Sequence, residues 1–419
     1  MTKRDGFLKA GHLPTLVAAL LYFDVSFMIW VLLGPLAPFL REEFGMTATQ
    51  QGLLVAVPLL GGSFFRPIMG MLGDRIGGRR TGLLGLTLTL VPLLVGWQFA
   101  TSVWHLFAVG VLLGIAGASF AVALPLAGGW YPPQYQGLAM GIAGAGNSGS
   151  LLATLAAPRL AERFGWATTF GLMALPLLVV FGFFAVMAKD SPAARARLTL
   201  RDYVAVLKEP DTLWFSVLYA LTFGGFVGFT SFLTTFFYEQ YHVSRVAAGD
   251  FTTVVVVSGS LLRPVGGWLA DRAGGFRLLL AVLALVTGCL LAVATLPSLP
   301  FVIGALFLAV GLLGMGNGAV FQLVPQRFAG RMGLITGIVG AAGGLGGFFL
   351  PTVMGAAKDM TGTYGTGFAI FGLAFMAGTL ALLELGRRWT AQWAPDVVRQ
   401  SGIFCYRDVV RSLRGEEAA

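Results

Sequence analysis

Apolar runs about 20 residues long recur along almost the whole chain, each long enough to cross the hydrocarbon core of a bilayer. We count twelve, centred on 14–39, 50–72, 80–99, 103–127, 137–161, 167–188, 212–239, 247–270, 276–296, 300–325, 331–357 and 365–388. Inside a membrane no water is available to backbone amides and carbonyls, so such runs must satisfy themselves as helices. The expected fold is therefore an all-α membrane protein with twelve transmembrane helices. Composition agrees: 56% of residues are hydrophobic and 11% charged, against ~25% charged in soluble domains. The first run follows a polar Met1–His12 stretch and has no small-residue cleavage site, so it reads as a retained helix rather than a signal peptide.

Charge sets the orientation. Of the 28 Lys and Arg, 21 fall in loops and termini on one side and 5 on the other, while Arg66 and Arg263 lie within apolar runs. The positive-inside rule makes the rich side cytoplasmic, which predicts a multi-pass protein of the cytoplasmic membrane with both termini inside. The basic balance is thus a membrane signature, and no nucleic-acid partner is expected. Cys289, within a helix, and Cys405, in the tail, suggest neither a disulfide framework nor a metal cluster. His12, His105 and His242 sit at helix edges or in loops, which argues against a histidine proton relay. No Gly-x-Ser-x-Gly elbow, His-rich cluster or dinucleotide fingerprint is visible. Neither an enzyme nor a bound metal or cofactor is expected.

The two intramembrane arginines open the same phrase. Ser63-Phe-Phe-Arg-Pro-Ile-Met-Gly-Met-Leu-Gly-Asp-Arg-Ile-Gly-Gly-Arg-Arg80 aligns without a gap on Ser260-Leu-Leu-Arg-Pro-Val-Gly-Gly-Trp-Leu-Ala-Asp-Arg-Ala-Gly-Gly-Phe-Arg277, with ten of eighteen positions identical. A second echo pairs Gly141-Ile-Ala-Gly-Ala145 with Gly337-Ile-Val-Gly-Ala341. The chain therefore divides into a six-helix bundle at 1–188, a charged linker at 189–211, a second six-helix bundle at 212–388 and a tail at 389–419. Two such repeats about an axis along the membrane normal are a recurring plan for secondary transporters, with the binding site between the halves near the midplane. A permanent charge at that depth costs roughly 2.5–3.5 kcal/mol on insertion scales. Carrying it twice, at matched positions, implies that an anion meets the pair.

Gly70-x-x-x-Asp74-Arg75-x-Gly77-x-Arg79-Arg80, with its weaker copy Gly267-x-x-x-Asp271-Arg272-x-Gly274, resembles the signature loop of the major facilitator superfamily. The resemblance implies that Asp74, Arg75, Asp271 and Arg272 belong to an intracellular charge network holding the inward gate. Gly141-Ile-Ala-Gly-Ala-Gly-Asn-Ser-Gly149 and Gly337-Ile-Val-Gly-Ala-Ala-Gly-Gly-Leu-Gly-Gly-Phe-Phe-Leu-Pro351 resemble the paired glycine signatures of the nitrate/nitrite porter branch. The likeness runs from about Leu21 to Gly386. It implies nitrate/nitrite exchange or proton-coupled nitrate uptake by alternating access. Arg66 and Arg263 then clamp the anion, Phe120 and Phe223 form aromatic walls, Tyr219 gives a hydroxyl donor and Asn147 an amide donor. The chemistry is apt, because a planar guanidinium offers paired donors to a flat, acceptor-only oxyanion.

Small residues at four-residue spacing (Gly137, Gly141, Ala145, Gly149) make a bare stripe on helix five, and Gly333, Gly337 and Ala341, then Gly340 with Gly344, do the same on helix eleven. Such stripes let helix backbones approach closely in lipid; the functional reading makes Gly141, Gly144, Gly337 and Gly340 a surface on which the halves rock. Asp24 is the one carboxylate well inside an early helix, either a proton site or a fixed partner for an arginine. Asn317 lines the pathway or ties helices together. The tail reads as a short surface helix or a frayed terminus, and the protein as a monomer. Another superfamily carrier, for organic phosphates or carboxylates, is the main alternative, although such substrates call for extra cavity Lys or His that the helices lack.

Overall fold

The computed structural model describes residues 7–191, 200–328 and 332–403. Cys405, part of the charged linker and the end of the tail lie outside the described residues. The chain is a sequence of helices: α1 (Leu13–Trp30), α2 (Leu33–Phe44), α3 (Ala48–Ile76), α4 (Gly78–Gln98), α5 (Val103–Gly117), α6 (Phe120–Gly128), α7 (Pro133–Gly144), α8 (Gly149–Phe164), α9 (Trp166–Met187), α10 (Leu200–Leu207), α11 (Pro210–Tyr241), α12 (Arg245–Ala273), α13 (Gly275–Ala294), α14 (Leu299–Arg327), α15 (Met332–Thr361), α16 (Gly365–Gln392) and α17 (Pro395–Ser401). Among the described residues, eleven spans are long and apolar enough to cross a membrane, with α1–α2 and α5–α6 each forming one. The twelfth, 133–164, is interrupted by a 3-10 turn, Ala145–Ser148, between α7 and α8. Large apolar side chains face outward, such as Val179 and Val186 on α9, 73% and 72% exposed. A soluble fold would put polar residues there.

The repeat seen in the sequence is a repeat of structure. The first span, Leu13–Phe44, and α11, Pro210–Tyr241, match residue for residue at an offset of 197, as do α3 and α12. Both of the latter start on a hydroxyl N-cap, Thr47 and Ser244, whose side chain accepts from the amide three residues on. Both stop at a glycine with positive φ, +94° at Gly77 and +89° at Gly274, a backbone state open to residues without a Cβ. Packing follows the same register. A Cβ on Gly61 would lie 3.1 Å from Gly114 Cα, and one on Gly311 would lie 3.3 Å from Ser258 Cβ, the corresponding pair.

The halves differ in continuity. The first span breaks at Val31–Leu32, α5 and α6 are separated at Ala118–Ser119, and α7 gives way to its 3-10 turn, whereas α11, α14 and α15 run unbroken. Non-helical backbone at membrane depth is tolerated only where protein or a polar cavity surrounds it. All three breaks lie in the N-terminal bundle.

The two ends of the molecule also differ. At the end away from the termini, polar bonds cross between the bundles: Arg41 to Glu239 at 2.5 Å and Tyr238 to Glu42 at 2.5 Å, with Arg245 also on Glu42, while Tyr364 braces Glu239 from within the second bundle at 2.6 Å. Arg159 adds a two-pronged bond to Asp250, 2.7 and 2.9 Å, and Thr49 binds Asp359 through its amide and hydroxyl at 2.7 and 2.6 Å. Toward the end that carries the termini, a Cβ placed on Gly137, Gly141, Gly144 or Gly337 would meet nothing within 4 Å.

Candidate functional site

The site begins with a carbonyl that a helix has let go. Between α5 and α6 the amides of Ser119, Ala121 and Val122 bond Ala116, Ala118 and Ser119, passing over Gly117. Arg66, reaching across from α3, donates its Nε to that Gly117 oxygen at 3.0 Å. Its Nη1 donates to the Gly340 carbonyl of α15, in the opposite bundle. The guanidinium is boxed by rings, with Cζ 5.0 Å from the Trp30 centroid, 5.3 Å from Phe223 and 5.4 Å from Phe120. Such faces attract a cation through their quadrupole. Arg66 is 1% exposed, and its Nη2 has no hydrogen-bond partner.

Arg263, on α12, approaches the same Phe223 ring, its Cζ 6.0 Å from the centroid. Its Nη1 is buried without a partner. The two guanidinium groups are within electrostatic range of one another and of Tyr219. Tyr219 lies stacked on Phe223, 5.1 Å between centroids at 5°, and its buried hydroxyl likewise has no partner within hydrogen-bond geometry. Phe120 closes the other flank. Five of the six sequence candidates, Arg66, Arg263, Tyr219, Phe120 and Phe223, are thus brought around one point where the bundles meet.

Asn147 is not in that group. It is fully buried in the 3-10 turn, and with the amide set to satisfy its surroundings its NH2 faces the carbonyls of Ala145 at 3.2 Å and Gly144 at 3.3 Å. Its neighbours serve Asp24 instead. Ser148 Oγ donates to Asp24 Oδ1 at 2.7 Å. Glycines hold the turn against α1, since a Cβ on Gly146 would stand 2.8 Å from Asp24 N and one on Gly149 2.7 Å from Asp24 C. Of the two roles open to Asp24, fixed partner to an arginine finds no ion pair among the described residues.

The glycine stripes divide in two. Gly146 and Gly149 pack on α1, and Gly346 packs on α11 at Ala220, so there the small residues do allow close approach. Gly141, Gly144 and Gly337 border open space, and Gly340 offers its carbonyl to Arg66 while its missing Cβ leaves 3.4 Å to the Phe120 ring. Close backbone contact along the stripes thus lies in their far portion, and the near portion faces open space. Of the signature-loop charges, Asp74 sits on the last turn of α3, and Arg75, Asp271 and Arg272 are exposed, with Arg272 Cζ 3.8 Å over Trp268.

Several contributors escaped the sequence reading. Trp30 is fully buried, donates Nε1–H to Pro58 O at 2.7 Å and stacks on Phe223 at 18°. It fits because positions 62 and 117 are glycine; a Cβ at Gly62 would lie 2.8 Å from the indole. Phe321 stands edge-on to Tyr219, 4.9 Å between centroids. Near the termini, Asp211 accepts from Trp389 Nε1 at 2.8 Å, Trp393 Nε1 at 3.2 Å and Arg327, pinning the end of α16 to the start of α11. The available signal for Trp30 was a tryptophan deep in an apolar run, where its N–H demands an acceptor.

Comparison with known proteins bears on this arrangement. The family model described as Major Facilitator Superfamily matches residues 18–351. Relatives include the nitrite extrusion protein of Bacillus subtilis, 36% identical over 82% of this chain and 87% of its own length. The probable nitrate/nitrite transporter NarK2 of Mycobacterium tuberculosis is 38% identical over 83% and 90%. The probable nitrate/nitrite antiporter NarK1 of Thermus thermophilus is 30% identical over 90% and 93%. Among solved structures, the xylose transporter XylE from E. coli in a partially occluded inward-open conformation superposes with a TM-score of 0.72 at 13% identity, over 91% of this chain and 99% of that one. The human organic anion transporter MFSD10 gives 0.69 at 18% identity, over 88% and 99%. Two six-helix bundles with a duplicated arginine phrase, together with these relatives, establish the chain as a member of the major facilitator superfamily, in its nitrate/nitrite porter branch.

Proposed function

We propose that this protein carries nitrate and nitrite across the cytoplasmic membrane by alternating access, with the anion held between Arg66 and Arg263 against Phe223 and Phe120. One observation carries the reading: two permanent cations each keep a buried, unpartnered N–H donor beside one shared aromatic ring, Phe223. Such donors are costly unless something accepts from them. A flat monoanion suits the place, offering in-plane oxygens to the forks and a π face to the rings. Tyr219 adds a neutral donor whose hydroxyl is also unclaimed.

The bonds at the far end, set against the open glycine faces at the near end, support an inward-facing state. In this reading the bundles 1–188 and 212–388 rock as units. Reclosure brings the faces of Gly141, Gly144 and Gly337 together over the bound anion, while Asp74, Arg75, Asp271 and Arg272 secure the near end. Asn147 contributes through its turn, which couples the Asp24 region of α1 to that movement. The loop charges, 21 of 28 Lys and Arg on the terminal side, support cytoplasmic termini. Asp24 is the group for proton-coupled uptake; exchange needs no titrating group, since an anion accompanies each crossing. The carrier works as a monomer.

The test is transport in proteoliposomes, with nitrate outside and either nitrite or a proton gradient across the membrane. Saturable nitrate uptake accelerated by internal nitrite is expected. Uptake of phosphate esters or carboxylates in place of nitrate would overturn the assignment.

A further inference from the structure

One further buried polar group stands beside the site. Asn317, on α14, is 0% exposed, and both its Nδ2 and its Oδ1 lack any hydrogen-bond partner. An amide shut away from water with neither end satisfied calls for an occupant that is itself polar. Its position in the repeat says where that occupant sits. The offset of 197 that superposes α3 on α12 also carries Gly114 onto Gly311 and Gly117 onto Gly314. It carries Phe120, the ring 5.4 Å from Arg66, onto Asn317. Local contacts agree. Gly318, the next residue, packs so closely on α12 that a Cβ there would lie 2.8 Å from the Arg263 carbonyl. Phe321, one turn along the same face, touches Tyr219 at 4.9 Å and Phe120 at 6.3 Å. Asn317 therefore stands to Arg263 as Phe120 stands to Arg66, with an amide where the other bundle has a ring.

We propose that Asn317 is a substrate-binding residue that discriminates nitrate from nitrite by donating from Nδ2 to the oxygen that nitrite lacks. The inference rests on the nitrate/nitrite reading and deepens it. Arg66 Nη2, Arg263 Nη1 and Tyr219 Oη supply three free donors, enough for the two oxygens of nitrite. Nitrate has a third oxygen, and a fourth donor on the Arg263 side meets it. A neutral amide serves better than another cation, because it adds direction without adding repulsion between the arginines. A site that hydrogen-bonds one substrate atom penalises the analogue lacking it, since its own donor is then left unpaired.

The experiment measures half-saturation for nitrate and for nitrite in nitrite-loaded proteoliposomes, using the full chain, Asn317→Leu and Asn317→Ser. For Asn317→Leu, the nitrate value should rise about tenfold, the worth of one hydrogen bond to an anion, with the nitrite value changed less than about threefold. Asn317→Ser keeps a donor in less volume and should fall between. It also serves if the leucine variant fails to fold. Equal changes for both anions, or none for either, would overturn the proposal. Failure of the unaltered protein to exchange nitrate for nitrite would instead overturn the underlying reading, so the two failures remain distinct.

Discussion

The two bundles share length, register and an arginine, yet they treat that arginine differently. The N-terminal bundle breaks three of its spans near the midplane, and one break releases the Gly117 carbonyl that fixes Arg66. The C-terminal bundle keeps the corresponding helices whole and so has no such carbonyl to spare. At the place of Trp30, which backs Arg66, it has Val227, and at the place of Phe120 it has Asn317. Arg66 is held by two carbonyls and three rings, whereas Arg263 is half-buried and approaches one ring at 6.0 Å. A symmetric sequence phrase has become one cation held on several sides and one held on few. Under the proposed function, the first would define the seat of the anion and the second would complete it.

The largest effects should come from the arginines, and they should differ in kind. Arg66→Lys and Arg263→Lys should each abolish nitrate transport in proteoliposomes, because charge remains but the fork is lost. Only Arg66→Lys should also lower thermal stability of the purified protein, by roughly 2–4 kcal/mol, since it strands two carbonyls and empties an aromatic box. Equal stability losses would show that the two arginines are held alike.

Next in size is Asp24, which has no counterpart in the other bundle, where Leu221 stands. Asp24→Asn should spare exchange of nitrite for nitrate and stop uptake driven by a pH gradient. Losing both would assign Asp24 to holding the 3-10 turn through Ser148. Trp30→Phe should be milder. It keeps a ring behind Arg66 but loses the bond to Pro58, and about 1 kcal/mol of cation–π attraction corresponds to a roughly fivefold rise in KM for nitrate. Val227→Ala, at the matching place, should leave KM unchanged. The smallest effect is expected from Arg159→Ala at the far end. That pair is 44% and 38% exposed, and such bridges contribute about 0–1 kcal/mol. Glu239→Gln, which disconnects both Arg41 and Tyr364, should favour the outward-facing state more strongly in accessibility labelling.

Much of this was legible in advance, for identifiable reasons. Hydrophobic run length alone gives spanning helices, and a gapless repeat around Arg66 and Arg263 gives two bundles whose equivalent helices bring those residues to one interface. Phe120, Tyr219 and Phe223 were reached through family likeness, since a lone ring in an apolar run carries no sign of its neighbours. Trp30 was missed because its role depends on room left by Gly62 and Gly117 on two other helices. Asn147, a candidate through the same likeness, lies in the 3-10 turn with its amide toward the carbonyls of that turn, an orientation that local geometry sets.

The breaks were the least visible feature. Pro35 does mark the first break, since it has no N–H for the Val31 carbonyl and Phe232 takes its place in the unbroken copy, but Gly117-Ala-Ser-Phe120 carries no proline and its run is as apolar as its counterpart. The sequence by itself determined what must be buried in lipid, how many times the chain crosses, and which two charges are matched, because transfer energies and repeat register act residue by residue. Tertiary structure alone decided which carbonyls are freed, which end is tied shut and which arginine is held, because each depends on the distance between atoms on different helices.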